Sequence, residues 1–312
     1  MRRTVALMNP NATSETLLDC YICATCGTQY APSVMPPEAC RVCTDDRQHV
    51  GWDGQRWTTH AELAARHDVR IERDGAFVGV GIVERFAIPQ RALLVPTSIG
   101  TVMWDCTSVV TADAIDAVNR IGGVALIAIS HPHFYSSMVE WAEALGGVPI
   151  LLHGDDADWV MRPSPLIRHW HGDRLALADD ATLIHLPGHF PGSSALLCAD
   201  PTDTARRALL TGDSLHVAGD RRHITVMHSV PNYMPVGPAT IRDLRRRLDG
   251  VAFDDLYGFT WGLNVIGGAD AAVAASFERY LSAISDRDAV DPRSNQRSSS
   301  ASATMIPSGP RR

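Results

Sequence analysis

Three histidines and one aspartate stand at spacings that could bind a metal ion. His131 and His133 flank a proline in ISHPHFYSS, His189 lies in LPGHFPGSS, and Asp213 lies in LLTGDSL. Imidazoles and a carboxylate are ligands that zinc, iron and similar ions accept. An ion with an open coordination position is catalytic, because it lowers the pKa of a bound water towards neutrality. The sequence therefore predicts a catalytic metal site formed by these four residues.

Each of the three motifs places its histidine or aspartate just after a short apolar run, where a strand of a sheet would end. The runs are GGVALIAIS before His131, ATLIHLP before His189 and RRALLTG before Asp213. Pro132 restricts His131 to an extended conformation, and the glycines beside His189 allow tight turns close to an ion. We therefore expect loops at the ends of separate strands to bring the four side chains together.

Strands and helices follow one another from about residue 77 onwards. Further strands are predicted for FVGVGIVERFA, RALLVP, IGTVMWD, VPILLH, SALLCAD and HITVMHS. Helices are predicted from two capping boxes, Thr59–Glu62 and Ser137–Glu140, and from the patterns of 238–248 and 269–284. This order suggests two sheets between layers of helices, within an α/β or α+β fold.

Four cysteines near the N-terminus form a second candidate metal site. They stand in two Cys-x-x-Cys pairs, Cys23 with Cys26 and Cys40 with Cys43. This spacing matches a zinc ribbon or a rubredoxin-like knuckle, and four thiolates make a closed, structural site. A segment of roughly 30 residues needs such an ion for much of its stability. We expect Zn²⁺ there, with iron as the alternative.

The histidine and aspartate motifs resemble those of the metallo-β-lactamase fold superfamily. LPGHFPGSSALL is similar to the superfamily's PGHTPGS segment, and LLTGDSL to its Thr-Gly-Asp segment. The resemblance covers about residues 77–270 and implies an αββα sandwich with the active site at the edge between the sheets. With its cysteine pairs, the chain resembles a subgroup of uncharacterised metallo-hydrolases that carry an N-terminal zinc-ribbon-like or rubredoxin-like knuckle.

The chain departs from the superfamily's His-x-His-x-Asp-His motif. Tyr135 and Ser136 stand where that motif has the Asp and His that hold a second metal. The late strand segment LYGFTWGLN also lacks the last histidine of the superfamily. Two interpretations of Tyr135 are open: its phenol donates to a developing oxyanion, or it is a packed aromatic near the start of a helix.

The resemblance therefore implies a mononuclear site with His131, His133 and His189 as ligands. Asp213 would be a fourth ligand or a close neighbour that orients the attacking water or takes its proton. Zn²⁺ is the expected ion at this site, with Fe²⁺ as the alternative.

Composition and charge restrict the organisation and the partners of the chain. The formal net charge is -7, which argues against nucleic-acid binding. No apolar stretch approaches the roughly 20 residues of a membrane span, and no signal peptide is recognisable. We therefore predict a cytoplasmic protein with a small-molecule substrate, and the oligomeric state is left open, with a homodimer among the options. The predicted segments are a flexible tail (1–19), a four-cysteine module (20–50), a helical linker (51–76), a catalytic domain (77–285) and a disordered tail (286–312).

Three functional hypotheses follow. The leading one is a mononuclear metal-dependent hydrolase, in which a metal-bound hydroxide attacks an ester, lactone, thioester or amide of a small molecule. The second is a non-haem Fe(II) oxygenase acting on a thiol or another small substrate, with His131, His189 and Asp213 as a two-His-one-carboxylate set. The third is a non-enzymatic binding protein that metal ions stabilise.

Overall fold

Two β-sheets packed face to face form the centre of the protein in this computed structural model, which describes residues 18–285. The strands of the first sheet are, in spatial order, Val69–Asp74, Phe77–Ile82, Ala92–Thr97, Gly100–Trp104, Leu126–Ala128, Ile150–His153 and Ile167–Trp170. Those of the second are Arg174–Ala178, Ala181–His185, Ser194–Asp200, Asp203–Leu210, Asp255–Tyr257 and Asn264–Ile266. Shorter pairs are Ile22–Cys23 with Trp57–Thr58, His216–Val217 with Ile224–Thr225, and Met227–Ser229 with Met234–Pro235.

Three layers of buried apolar side chains hold the sheets and helices together. Phe77 and Trp104 from the first sheet pack with Leu196 and Leu210 from the second. Helices cover the outer face of each sheet: Ala112–Ile121 and Met138–Ala144 on the first, Pro238–Arg247 and Ala269–Ser285 on the second. The order of layers is helix, sheet, sheet, helix, which confirms the predicted αββα sandwich. No helix within residues 18–285 is long and apolar enough to cross a membrane.

The helix boundaries test the predicted capping boxes. The Thr59 hydroxyl accepts a hydrogen bond from the Glu62 backbone N–H, and the helix His60–Ala64 follows, as predicted. The box predicted at Ser137 is wrong, because the Ser137 hydroxyl instead donates to the Ser108 carbonyl at 2.9 Å. The helix Met138–Ala144 nevertheless begins there. The two later helices lie close to their predicted positions.

The segment 51–76, predicted as a helical linker, also contains a strand. Val69–Asp74 pairs with Phe77–Ile82 in antiparallel register, and Gly75 takes a positive φ of 62° in the turn between them. The first sheet therefore begins before the boundary predicted at residue 77. The tail predicted over 286–312 lies outside the described residues, as does that over 1–19 except for Leu18 and Asp19.

Candidate metal centre

The structure brings His131, His133, His189 and Asp213 together at one edge of the sandwich. All four side chains are buried, and the atoms that could bind a metal lie within 4.8 Å of one another. The strands that precede them are Leu126–Ala128 in the first sheet, and Ala181–His185 and Asp203–Leu210 in the second. The site therefore lies where loops of both sheets meet.

The distances between these atoms suit a single ion. His131 Nε2 lies 3.0 Å from Asp213 Oδ1, and His133 Nδ1 lies 3.0 Å from His189 Nε2. His189 Nε2 lies 3.8 Å from Asp213 Oδ1. Ligand atoms about 2.0–2.1 Å from a tetrahedral ion stand about 3.3–3.4 Å apart, which these values bracket.

Unpaired polar atoms in this cluster support the same conclusion. His131 Nε2, His133 Nε2 and Asp213 Oδ1 are buried and have no hydrogen-bond partner among residues 18–285. His131 Nε2 and Asp213 Oδ1 face each other at 3.0 Å without the geometry of a hydrogen bond. Buried polar atoms without a partner are costly, and a metal ion would satisfy the nitrogen and the oxygen that face each other. The residues therefore fit a metal ion.

Hydrogen bonds on the outer side of the rings set which ring nitrogen faces the cluster. His189 Nδ1 lies 3.0 Å from the Met227 carbonyl, which can only accept a hydrogen bond. The neutral ring therefore presents a lone pair on Nε2 to the cluster. His131 Nδ1 contacts the Ser130 hydroxyl at 2.9 Å, so its Nε2 faces Asp213.

Burial and mutual charge set the protonation states. Burial, together with the neighbouring His189 and His131, lowers the pKa of His133 well below its ordinary value. Burial lowers the pKa of His189 to about 4. Burial alone would raise the pKa of Asp213, but the adjacent histidines hold it far below its ordinary value. Two neutral imidazoles and an ionised carboxylate are therefore present at neutral pH, which are the forms that bind metals.

Ser130, which precedes His131, is hydrogen-bonded to two other segments of the chain. Its backbone N–H donates to Asp105 Oδ1 at 2.8 Å, and its carbonyl accepts from the Ser194 N–H at 2.8 Å. Asp105 has a positive φ of 62°, and burial raises its pKa to about 6. A Cβ atom on Gly212 would lie 2.4 Å from the Ser130 hydroxyl oxygen. The residue before Asp213 must therefore be glycine for the loops to approach this closely.

Of the two interpretations of Tyr135, the structure supports the packed aromatic near the start of a helix over the donor to an oxyanion. Its ring is buried in the core between the first sheet and its helices, with Phe134 and Met138. Burial raises the pKa of its phenol well above the ordinary value. The hydroxyl of Ser136 accepts a hydrogen bond from Gln90 Nε2 at 2.8 Å. Both residues serve packing, and within residues 18–285 no further histidine, cysteine or acidic side chain joins the cluster.

A cavity of about 280 Å³ opens onto His133 and Asp213. Phe259, from the segment that lacks the superfamily's last histidine, forms part of its wall. Residues of the four-cysteine module also line it, although no sequence motif indicated this contact. The remaining lining residues are Thr25, Gln48, His49, Arg85, Ala87, Ile88, Pro89, Val230 and Pro231.

The four cysteines of the N-terminal module also meet. Cys23 Sγ lies 3.6 Å from Cys43 Sγ, and Cys26 Sγ lies 3.6 Å from Cys40 Sγ. All four thiols are buried and free of disulfides. Sulfur ligands of a tetrahedral zinc ion stand about 3.8 Å apart, given a Zn–S distance of about 2.3 Å. The geometry therefore fits a closed four-sulfur metal site.

A third group, His153, Asp155 and His185, is a weaker candidate. The His185 Nε2 lies 2.7 Å from the Pro191 carbonyl, and His153 Nδ1 accepts a hydrogen bond from the Asp155 backbone N–H at 3.2 Å. The two rings stack with centroids 3.9 Å apart. Because these nitrogens already have partners, the group is explained as a packed histidine pair.

Comparisons with known proteins give one relative of high coverage. The chain is 36% identical over 267 residues to the uncharacterized protein YmaE of Bacillus subtilis (strain 168), covering 85% of this chain and 96% of that protein. No protein-family model matches the chain.

Solved structures show more distant similarity. A quorum-quenching N-acyl homoserine lactone lactonase is 16% identical, with a TM-score of 0.40 over 57% of this chain and 81% of that one. The metallo-beta-lactamase MIM-1 from Novosphingobium pentaromativorans is 19% identical, with a TM-score of 0.42 over 69% of this chain and 90% of that one.

Proposed function

The chain belongs to the family of the Bacillus subtilis protein YmaE, and we propose that it is a mononuclear metal-dependent hydrolase of small molecules. The bond cleaved is that of an ester, lactone, thioester or amide. The observation that carries the proposal is the convergence of three imidazoles and a carboxylate at one end of a cavity, with His133 and Asp213 in its lining. We further propose Zn²⁺ as the ion at this site and at the structural four-cysteine site.

A bound divalent ion supplies Lewis-acid chemistry: activation of a water as the nucleophile and polarisation of the substrate carbonyl. The residues of the chain do the remaining work. His131, His133 and His189 would hold the ion. Asp213, whose pKa is held low, suits the task of orienting the water through a hydrogen bond better than that of retaining its proton.

The number of imidazoles favours the hydrolase over the iron oxygenase. A two-His-one-carboxylate site needs only His131, His189 and Asp213. His133 Nδ1, however, lies 3.0 Å from His189 Nε2 and completes a set of three imidazoles. Such a set with one open position is typical of hydrolytic zinc sites.

His189→Ala tests the proposal, with His169→Ala as the matched control because His169 is exposed on the strand Ile167–Trp170. We expect the zinc-loaded wild type and the control to hydrolyse at least one compound of an ester, lactone, thioester and amide panel. His189→Ala should lose this turnover and the ion of the histidine site, measured by mass spectrometry, while keeping the ion of the four-cysteine site. Turnover that persists in His189→Ala would refute the proposal, and oxygen uptake by anaerobically Fe(II)-loaded protein would favour the oxygenase instead.

A further inference from the structure

We propose that the cavity at the histidine site takes a small, mostly apolar acyl compound that carries an anionic group in addition to the bond to be cleaved. Arg85 and Gln48 would bind that anionic group. The proposal rests on the hydrolase function, since it names the substrate class of the same site.

The size and the walls of the cavity suit a small apolar acyl group. Its volume of about 280 Å³ lies just below the range of about 300–1,000 Å³ that is usual for ligand pockets, so only a small compound fits. Six of the twelve lining residues are apolar: Ala87, Ile88, Pro89, Val230, Pro231 and Phe259.

Gln48 offers the cavity a hydrogen-bond donor that has no acceptor. Its side chain is buried, and its amide oxygen accepts a hydrogen bond from the His49 backbone N–H at 3.2 Å. Because a backbone N–H can only donate, the atom that it contacts must be the amide oxygen of Gln48. The two hydrogens on Nε2 are therefore not used in this contact. Within the part of the chain that is described, Nε2 has no acceptor. Nε2 keeps some contact with solvent, so a carboxylate in the cavity would replace water as its acceptor.

The charges around the cavity also favour an anion. Arg85 is exposed where it lines the cavity, and it has no acidic partner among residues 18–285. Asp213 is the one carboxylate in the lining. A divalent ion, neutral imidazoles and this carboxylate leave one net positive charge, and Arg85 adds a second. Such a cavity attracts anionic molecules and raises their local concentration.

Two esters that differ in one group test this subsite. Mono-4-nitrophenyl succinate and 4-nitrophenyl butyrate have the same leaving group and the same chain length. The acyl chain of the first ends in a carboxylate, and that of the second ends in a methyl group. In the zinc-loaded enzyme, Arg85→Gln should lower kcat/KM for the succinate ester on the order of tenfold more than kcat/KM for the butyrate ester. Gln48→Leu should act in the same direction. The control Arg242→Gln, at an exposed position of the helix Pro238–Arg247, should change neither value.

Binding separates a failure of this subsite from a failure of the hydrolase function. Calorimetry with the zinc-loaded protein should show tighter binding of succinate than of butyrate, and Arg85→Gln should abolish the difference. This measurement needs no turnover, so it holds even if no ester is cleaved. Equal binding of the two acids by the wild type, or a preference that survives in Arg85→Gln, would overturn the subsite.

We also infer, from separate contacts, that Arg47 of the four-cysteine module positions His189. Arg47 Nε donates to the His189 carbonyl at 2.8 Å, and its guanidinium lies 4.6 Å from the centre of the Phe190 ring. An ion pair with Asp45 at 2.8 Å holds the side chain in place. The Arg47 carbonyl in turn accepts from the Ser229 hydroxyl at 2.9 Å. The segment that follows Cys43 is therefore fixed to the loop that carries a metal ligand.

Arg41 provides a matched control because it makes the same kinds of contact elsewhere. Its Nη1 donates to the Asp158 carbonyl at 2.8 Å, and its guanidinium lies 5.1 Å from the centre of the Trp159 ring. Arg41→Ala therefore removes an equivalent contact between the four-cysteine module and the sandwich. Arg41 has no direct contact with the His189 loop and reaches it only through Trp159, whose ring lies 5.3 Å from that of Phe190.

Cobalt reports on the two sites separately, since thiolate ligands give charge-transfer bands that imidazoles and carboxylates do not. In Arg47→Ala, the Co²⁺ affinity of the histidine site should fall about 10- to 100-fold, as for other groups that orient metal ligands. The thiolate bands should remain. Arg47→Lys should recover part of the affinity, because it keeps the charge but not the planar fork. If Arg41→Ala weakens the histidine site as much as Arg47→Ala, or if neither does, the positioning role is refuted.

Discussion

Buried polar side chains in this protein fall into two groups, those with complete hydrogen bonding and those without. Arg91 belongs to the first group: it pairs with Asp74, and its two Nη atoms donate to the Gly258 carbonyl at 2.8 Å and to Asn264 Oδ1 at 3.1 Å. Asn264 Nδ2 donates to Asp74 Oδ1 at 2.8 Å. The histidine cluster belongs to the second group. The Arg91 network stabilises the fold, whereas the unpaired atoms of the histidine cluster fit a metal ion because they also lie close together.

Arg91→Met should therefore destabilise the fold strongly, because it leaves the Asp74 carboxylate buried without its partner. We expect a loss of about 3–5 kcal/mol in the free energy of unfolding, measured by urea titration. Arg73→Met, at an exposed position of the same sheet, should change this free energy by no more than about 0.5 kcal/mol. Similar values for the two variants would contradict the structural role of the network.

At the scale of elements, the strand Phe77–Ile82 is shaped by a ring that lies across it. A Cβ atom on Gly79 would lie 2.6 Å from the Trp261 ring, and one on Gly81 would lie 2.6 Å from Trp261 Nε1. Arg70 lies on the same indole, 4.2 Å from its centre. The alternating glycines in FVGVGI therefore make room for an aromatic side chain from a distant segment.

A double-mutant cycle tests this packing. Gly81→Ala alone should cost about 1–3 kcal/mol of unfolding free energy, because the methyl group overlaps the indole. In a Trp261→Ala background the same change should cost almost nothing, so the two effects would not add. Additive costs in the urea titrations would show that the indole is not the reason for the glycine.

The elements also show what sequence patterns can and cannot predict. The strands that end at His131, His189 and Asp213 were predictable, because apolar runs end at loop residues with distinct chemistry. The capping box predicted at Ser137 failed, because a tertiary contact with Ser108 uses the hydroxyl that a local cap requires. The helix Ala112–Ile121 was not predicted at all, although Thr111 caps it through a hydrogen bond from the Ala114 N–H.

At the scale of the whole molecule, the layer order followed from the resemblance, but the docking of the four-cysteine module did not. Nothing around Cys40 and Cys43 indicates a contact with a loop far along the chain. Arg47 and Gln48 were therefore missed, although Arg47 contacts His189 and Gln48 lines the cavity. Local motifs predict ligands well because spacing defines them, whereas contacts between modules depend on how the surfaces fit.

Removal of the metal from the four-cysteine site should loosen the whole molecule, because the module is attached to the His189 loop. We expect Cys23→Ser/Cys26→Ser to lower the Tm on the order of 10 °C and to weaken metal binding at the histidine site. Cys20→Ser, which lies outside the four-sulfur cluster, should leave both quantities unchanged. Calorimetry and metal analysis of the two variants provide the comparison, and an unchanged Tm in the double variant would contradict the expectation.

The stacked histidine pair should make the fold less stable in acid. Burial, the neighbouring His185 and, to a smaller extent, His171 lower the pKa of His153 below its ordinary value of 6.5. The Gly172 carbonyl and Asp155 act in the opposite direction but are weaker. Below pH 6.5 the unfolded chain therefore binds a proton that the folded chain resists, and this part of the stability is lost as the pH falls.

His153→Gln tests this effect by removing the titrating group. The difference in unfolding free energy between about pH 7.5 and about pH 5.5 should be smaller in His153→Gln than in the wild type. The exposed His169→Gln should retain the wild-type difference. If the wild type, His153→Gln and His169→Gln lose the same unfolding free energy in acid, His153 is not the source of the acid sensitivity.

The contact between Arg47 and His189 spans 142 residues of sequence, which has a consequence for biosynthesis. Arg47 leaves the ribosome long before its partner loop has been translated. During that interval the four-cysteine segment can dock only on the first sheet and its helices, through contacts such as that of Arg41 with the Asp158 carbonyl. Its contact with the His189 loop waits until the second sheet has been synthesised and has folded. The contact between this segment and the His189 loop is thus among the last to form, and a ribosome that stalls before residue 189 would release a chain in which Arg47 has no such loop to bind.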